Sequence, residues 1–168
     1  ADSSRSLSFV VVGIGEMGKN HARCLATMKG VDLVAVVDPD DERRNGAAAT
    51  YGCEPFASIS ELPEVDAAVI AVPTALHSNV GCALLERGVH CLVEKPLAHD
   101  RLEAQLLVDA ANSANVTLQV GHIERFNPAV RQLKEFLAGE SAVVANARRM
   151  GASSGRVTDI DVVMDLMV

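Results

Sequence analysis

Tryptophan is absent from this chain, tyrosine occurs once and phenylalanine four times, so aromatics make up only 3% of its 168 residues. Ala, Val and Leu must therefore pack the core, which suits a parallel sheet covered by helices on both faces. Cysteine is also scarce. The four present, Cys24, Cys53, Cys82 and Cys91, are scattered and form no C-x-x-C pair. That argues against a disulfide framework and against metal ligation. Reduced thiols point to a cytoplasmic protein, and no signal-peptide pattern stands at the start. No apolar stretch is long enough to span a bilayer. Positive charge is in deficit, and the net −7 argues against nucleic acid or a membrane surface as the main partner. Internal repeats and low-complexity tracts are lacking, as is an initiating methionine, so a processed or engineered start is expected.

The chain does have a 49% hydrophobic content, sufficient for a real core, and a length that fits one domain and the start of a second. Its most informative stretch lies near the beginning. Phe9 to Val12 reads as a buried strand. Gly13, Ile14, Gly15, Glu16, Met17 and Gly18 follow with G-x-G-x-x-G spacing, and a helical pattern then carries His21, Cys24, Leu25 and Met28. Strand, glycine turn and helix form the context that makes this motif point to a dinucleotide. Gly13 permits the tight turn, Gly15 lets backbone approach a pyrophosphate, and Gly18 lets helix and strand pack closely. The helix N-terminus offers N–H groups and partial positive charge to phosphate. The competing reading is a glycine turn that merely joins a strand to a helix.

The next strand, residues 31–37, ends at Asp38, 20 residues after Gly18, where a ribose 2′-hydroxyl is expected. A carboxylate accepts hydrogen bonds from the ribose and repels a 2′-phosphate. One unit-charge pair at ~4 Å is worth ~4 kcal/mol at an effective dielectric of ~20, and a third of that still gives about tenfold discrimination. NAD is therefore expected over NADP. Arg43 and Arg44 lie just downstream and could soften that preference. The alternative role for Asp38 is a cap before Pro39.

Strand and helix then alternate. Residues 41–51 read as a short helix stopped by Gly52, 53–56 as a weak edge strand, and 58–62 as a turn capped by Ser58 or Ser60. A buried strand over 67–72 leads into a helix over 76–87, with Val80, Ala83 and Leu84 on one face and Gly88 as its stop. A strand over 89–93 precedes a helix over 100–115 with Leu102, Leu106 and Ala110 at i, i+4, i+8. A strand over 116–120 follows. A helix through Leu137 then opens at Asn127 and Pro128, proline fitting the first helical position, with Val130, Leu133 and Leu137 inward. This alternation predicts an α/β fold, a doubly wound parallel sheet of the Rossmann type, with ligands bound outside the carboxyl ends of the strands.

Polar residues collected at strand ends are then the candidates: Asp38, Thr74 with His77, Glu94 with Lys95, and His122 with Glu124 and Arg125. Lys95 precedes Pro96, which biases it to extended geometry and holds it at the strand end. Near a nicotinamide it could donate to a substrate hydroxyl or lower the pKa of a neighbouring base; acting as base itself would require its pKa to fall from ~10.4 towards ~7–8. The alternative is a solvated lysine paired with Glu94.

Three stretches together resemble the Gfo/Idh/MocA family of NAD(P)-dependent sugar and inositol oxidoreductases. They are Gly13 to Gly18 with Asp38; Val72, Pro73, Thr74, Ala75, Leu76 and His77; and Val93, Glu94, Lys95, Pro96 and Leu97. The resemblance runs from Leu7 onwards, and the Glu-Lys-Pro stretch is its most specific part. It implies that Lys95 is an active-site residue near the nicotinamide, that the Lys95–Pro96 bond is often cis, and that Pro73, Thr74, His77 and Glu94 border the dinucleotide. Gly121 to Pro128, together with Arg156 to Leu166, resembles the branch that oxidises UDP-N-acetylglucosamine at the sugar 3-hydroxyl, or related UDP-linked amino sugars and their uronates. On that resemblance Arg125 contacts cofactor or substrate; an ion pair with Glu124 or Glu135 is its other reading. His122 reads as a strand-end histidine with a satisfied hydrogen bond.

In the family an Asp-x-x-x-His motif sets an acid and a general base one helical turn apart. Asp165 matches the acid, and the histidine would be the next residue after Val168. The family's second domain, an open sheet carrying the substrate face and subunit interface, is represented by residues 142–149 as its first strand and 151–156 as a loop. The chain thus reads as 7–122, an NAD-binding Rossmann domain, and 123–168, a crossover helix with the start of a substrate and dimerisation domain. A fragment is expected, catalytically inactive by itself, of an enzyme that is a homo-oligomer when intact. Another reading of the same motif is a non-catalytic module that senses NAD(H).

Overall fold

A computed structural model describes residues 5–141, 143, 144 and 146. The expected strand over 142–149 falls largely outside them, and residues 151–168, with Asp165, lie wholly outside. Eleven elements carry the fold: β1 (Leu7–Val12), α1 (Glu16–Leu25), β2 (Val31–Val37), α2 (Asp41–Tyr51), β3 (Glu54–Phe56), β4 (Ala67–Ile70), α3 (His77–Leu85), β5 (His90–Val93), α4 (Arg101–Ala114), β6 (Leu118–Val120) and α5 (Pro128–Phe136). The six strands form one sheet in the order β3-β2-β1-β4-β5-β6, and every pairing is parallel. The first half of the chain builds outward from β1 to one side and the second half from β4 to the other. The order therefore reverses between β1 and β4, where a ligand crevice opens in such sheets.

Alternation along the strands makes two cores. Val10, Val12, Ala35, Val37, Ala68, Ile70, Cys91 and Val93 face α3 and α4, which contribute Leu84, Leu85, Leu107 and Ala111. Val11, Leu33, Val36 and Val69 face α1 and α2, which contribute Ala22, Leu25, Ala47 and Ala48. β4 is buried at all four positions, as a central parallel strand should be. Helix ends follow local chemistry. Asp40 and Asp100 cap α2 and α4 by accepting N–H bonds from Arg43 and Glu103. Left-handed Gly52 closes α2 and left-handed Asn115 closes α4.

Four faces differ from the expectation. On α1 the inward stripe is Gly18, Ala22 and Leu25, while Cys24 is exposed and Met28 lies beyond the helix, also exposed. The helix must present Gly18 to the loop it packs on, and this fixes its rotation. On α3, Leu84 is buried and Val80 packs against the core, but the buried stripe also takes His77, Ser78, Gly81 and Leu85. On α4, Leu102 and Leu106 are exposed and Leu107 and Ala111 are buried instead. Gly81 explains the phase: a Cβ built there would lie 2.4 Å from Leu107 Cδ2, so α3 leaves a notch that Leu107 fills. On α5, Val130, Leu133 and Leu137 are all exposed, because no described residue covers that stripe.

Candidate dinucleotide site at the strand ends

Parallel pairing brings every carboxyl end to one edge, and hydrogen bonds continue one residue past the strands. Asp38 N–H donates to Phe56 O (3.2 Å), Gly13 N–H to Val37 O (2.7 Å) and Ala71 N–H to Val12 O (2.8 Å). Glu94 N–H donates to Ile70 O (2.9 Å) and Gly121 N–H to Val93 O (2.7 Å). Asp38, Gly13, Ala71, Glu94 and Gly121 thus form one row across the sheet.

At the centre of this row each glycine has a separate reason. Gly13 has φ +90°, and a Cβ on it would lie 2.6 Å from Ala71 O. A Cβ on Gly18 would lie 1.8 Å from Gly13 O, so the helix rests directly on the loop. Around Gly15 a Cβ would meet nothing within 4 Å. Gly15 is also the cap of α1 and supplies no side-chain acceptor to the first-turn N–H groups. An open, side-chain-free surface beside a helix N-terminus fits a pyrophosphate, which would fill the space a Cβ leaves and take the free donors. Glu16 is exposed and Met17 half-buried at the same turn, while the Ile14 side chain is fully buried in the core.

Asp38 is only 5% exposed. Its Oδ2 accepts the Ile14 N–H at 2.7 Å and its Oδ1 the Asp40 N–H at 2.9 Å. The turn-capping reading of Asp38 is therefore realised, and lone pairs remain on both oxygens for a ribose. Arg44 Nη1 donates to Asp38 O (3.4 Å) and Pro39 O (3.1 Å), and the guanidinium pairs with Asp41. Arg43 lies with its Nε 3.8 Å from Asp40 Oδ2.

On the other side of the crevice, Pro73 is exposed and Thr74 buried at the start of a 3-10 turn that runs into α3. His77 is 1% exposed, with Nδ1 2.9 Å from Pro96 O and Nε2 3.0 Å from Val72 O. Both ring nitrogens thus face backbone carbonyls that flank the strand ends, and the one that carries the proton donates to its carbonyl. Glu94 is 6% exposed; its Oε1 lies 2.7 Å from His21 Nε2, and its Oε2 accepts the Lys95 N–H at 3.3 Å. Lys95 is half-buried and its bond to Pro96 is cis. His122 is half-buried and Arg125 exposed in a 3-10 turn over Ile123–Phe126, beyond the row.

Two members of this arrangement carry no local sequence signal for it. By spacing His21 belongs only to a helix face, yet it crosses from α1 to hold Glu94. Gly121 was noted only as a strand end, yet a Cβ there would lie 3.1 Å from the Glu94 carboxylate. Cys91 lies in the core, where burial, with the neighbouring Cys82, pushes its thiol up to about 12.

Residues 7–122 match the profile of the Gfo/Idh/MocA oxidoreductase family, described by its NAD-binding Rossmann fold. The chain belongs to this family. It is 38% identical over 159 residues to UDP-N-acetylglucosamine 3-dehydrogenase of Acidithiobacillus ferrooxidans, covering 94% of this chain and 50% of that protein. It is 40% identical over 141 residues to inositol 2-dehydrogenase 4 of Saccharopolyspora erythraea, covering 80% of this chain and 42% of the relative. Among solved structures, the WlbA dehydrogenase of Bordetella pertussis, in complex with NADH and UDP-GlcNAcA, superposes with a TM-score of 0.76 at 30% identity, covering 80% of this chain and 42% of WlbA. The chain spans about half the length of the curated relatives it matches. Among the described residues no helix is long and apolar enough to cross a membrane.

Proposed function

We propose that this chain is the dinucleotide-binding part of a cytoplasmic NAD-dependent dehydrogenase that oxidises a secondary hydroxyl of a sugar, an N-acetylated amino sugar carried on UDP. The row of strand-end residues, with Lys95 one step beyond it, carries this reading. It joins a phosphate cradle at Gly13, Gly15 and Gly18 to a lysine at the far end of the same edge. Asp38 receives the adenosine ribose, Pro73, Thr74, His77 and Glu94 border the dinucleotide, and Arg125 contacts cofactor or sugar. The match to a UDP-N-acetylglucosamine 3-dehydrogenase extends over 94% of this chain, against 80% for an inositol 2-dehydrogenase of similar identity, and supports the UDP-sugar reading.

NAD, when bound, supplies the hydride acceptor. Lys95 donates a hydrogen bond to the reacting hydroxyl oxygen and stabilises the negative charge that develops on it. The hydroxyl loses its proton to a general base, for which Asp165 is the proposed orienting acid, while the carbinol carbon gives up hydride to the dinucleotide and becomes a ketone. Loss of such a base costs ~10²–10⁴ in rate. For residues 7–122 the proposal is dinucleotide binding, with residues 123–168 a crossover helix and the start of a substrate and dimerisation domain.

Calorimetric titration of the chain with NAD, NADP and UDP-N-acetylglucosamine tests this. NAD is expected to bind at least about tenfold tighter than NADP. Binding of neither dinucleotide would overturn the proposal.

A further inference from the structure

We propose that Asp38 is a positioning residue for the glycine loop as well as a ribose ligand, a role that rests on the dinucleotide reading above. The Ile14 N–H sits in the middle of the Gly13–Gly15 turn, on a residue that is fully buried. Its hydrogen bond goes to the Asp38 carboxylate at 2.7 Å, across a sequence separation of 24. The preceding amide, Gly13 N–H, donates to Val37 O at 2.7 Å. Two consecutive amides of the loop are thus tied to two consecutive residues at the end of β2.

The carboxylate is itself held. Its second oxygen accepts the Asp40 N–H, its backbone N–H donates to Phe56 O, and its carbonyl accepts from Arg44. Arg44 is thereby occupied with the backbone of this turn and with Asp41. Asp38 fixes the loop before any nucleotide arrives, and one unspent lone pair on each oxygen remains to take the ribose hydroxyls. An asparagine would keep one acceptor but turn an NH₂ group toward one of the two amides. An alanine would leave the buried Ile14 N–H with no acceptor, a costly state. Ribose recognition and the shape of the phosphate cradle are coupled through one side chain, and a substitution aimed at one disturbs the other.

The test uses the 168-residue chain with two probes: NAD, and an NAD analogue whose adenosine ribose lacks both the 2′- and 3′-hydroxyls. Asp38→Asn and Asp38→Ala are each titrated with both, and amide exchange of the free chains is followed at Ile14 and at Val36, a fully buried position of β2. The positioning role predicts that Asp38→Ala still weakens the dideoxy analogue by about tenfold or more, and that Ile14 exchanges at least about tenfold faster in both variants while Val36 stays protected. If Asp38→Ala loses Val36 protection as well, Asp38→Asn carries the comparison. A loss that vanishes with the dideoxy analogue, with Ile14 exchange unchanged, would overturn the role and leave a simple ribose ligand. A wild-type chain that binds neither probe would overturn the dinucleotide reading itself.

Discussion

The two halves of the strand-end row are held by different means. On the β1–β2 side, backbone amides bond to a carboxylate one residue past a strand, and the one side chain of the Gly13–Gly15 turn, Ile14, is buried in the core. On the β4–β5 side, two histidines reach in from helices on opposite faces of the sheet. His21 on α1 holds Glu94, and His77 on α3 lies between the carbonyls of Val72 and Pro96. The first half is set by chain geometry and needs glycine where side chains cannot fit. The second half is a side-chain construction, in which Lys95 is held by what its neighbours grip. Substitutions should therefore separate stability from binding differently in the two halves.

The largest effect is expected at Gly18. Gly18→Ala puts a Cβ onto Gly13 O, backbone against backbone, and should destabilise the chain by about 3 kcal/mol in denaturant unfolding. Gly15→Ala, with open space around it, should change stability by less than about 1 kcal/mol yet weaken NAD severely in calorimetry. Equal stability losses at the two glycines would break the description of the first half.

In the second half, His77→Ala removes a fully buried ring and its contacts to two carbonyls. A loss of about 2–4 kcal/mol is expected in thermal or denaturant unfolding. His21→Ala leaves the nearly buried Glu94 without its strongest partner and should cost about 1–3 kcal/mol. The companion change Glu94→Gln should make that loss smaller, because a neutral amide is cheaper to leave unpaired. Additive effects in this double-mutant cycle would contradict a direct His21–Glu94 contact.

Arg44→Ala sharpens the contrast on the β2 side at smaller scale. The guanidinium is bound to the turn that carries Asp38, so its removal should weaken NAD and NADP by a similar factor, a few-fold, in calorimetry. Selective loss of NADP would show that it serves a 2′-phosphate instead.

The smallest effect concerns the opposite edge of the sheet. Hydrogen bonds from the Ser8 N–H and hydroxyl, with the nearby Arg5 guanidinium, hold the Asp66 carboxyl below its ordinary value of 3.8. A depressed carboxylate contributes stability that is present above that ordinary value and lost as pH falls through the lower, folded-state value. Asp66→Asn should therefore flatten the acid limb of a pH–stability curve below pH 3.8 without changing NAD affinity at neutral pH.

Much of this was legible in the sequence because it depends on backbone. G-x-G-x-x-G after a strand, an acid at the end of the next strand, and the β-α alternation all follow from local steric rules, and each is found at its expected position. The phase of α4 was not legible, because Leu106 and Leu107 both fit a helical stripe and only the notch at Gly81 chooses between them. α5 has an apolar stripe, but a stripe does not say whether the described chain contains its partner. His21 was hidden for another reason. A histidine's partner lies 73 residues away, and no local spacing encodes a contact made across the crevice.

The central claim is that one dinucleotide lies across both halves of the row. Amide-resolved NMR titration of the chain with NAD tests it most directly. The account predicts concerted shifts at Gly13, Gly15, Gly18 and Asp38 together with Thr74, Glu94 and Lys95. Shifts confined to one half, or absent from the row while NAD binds elsewhere, would contradict it.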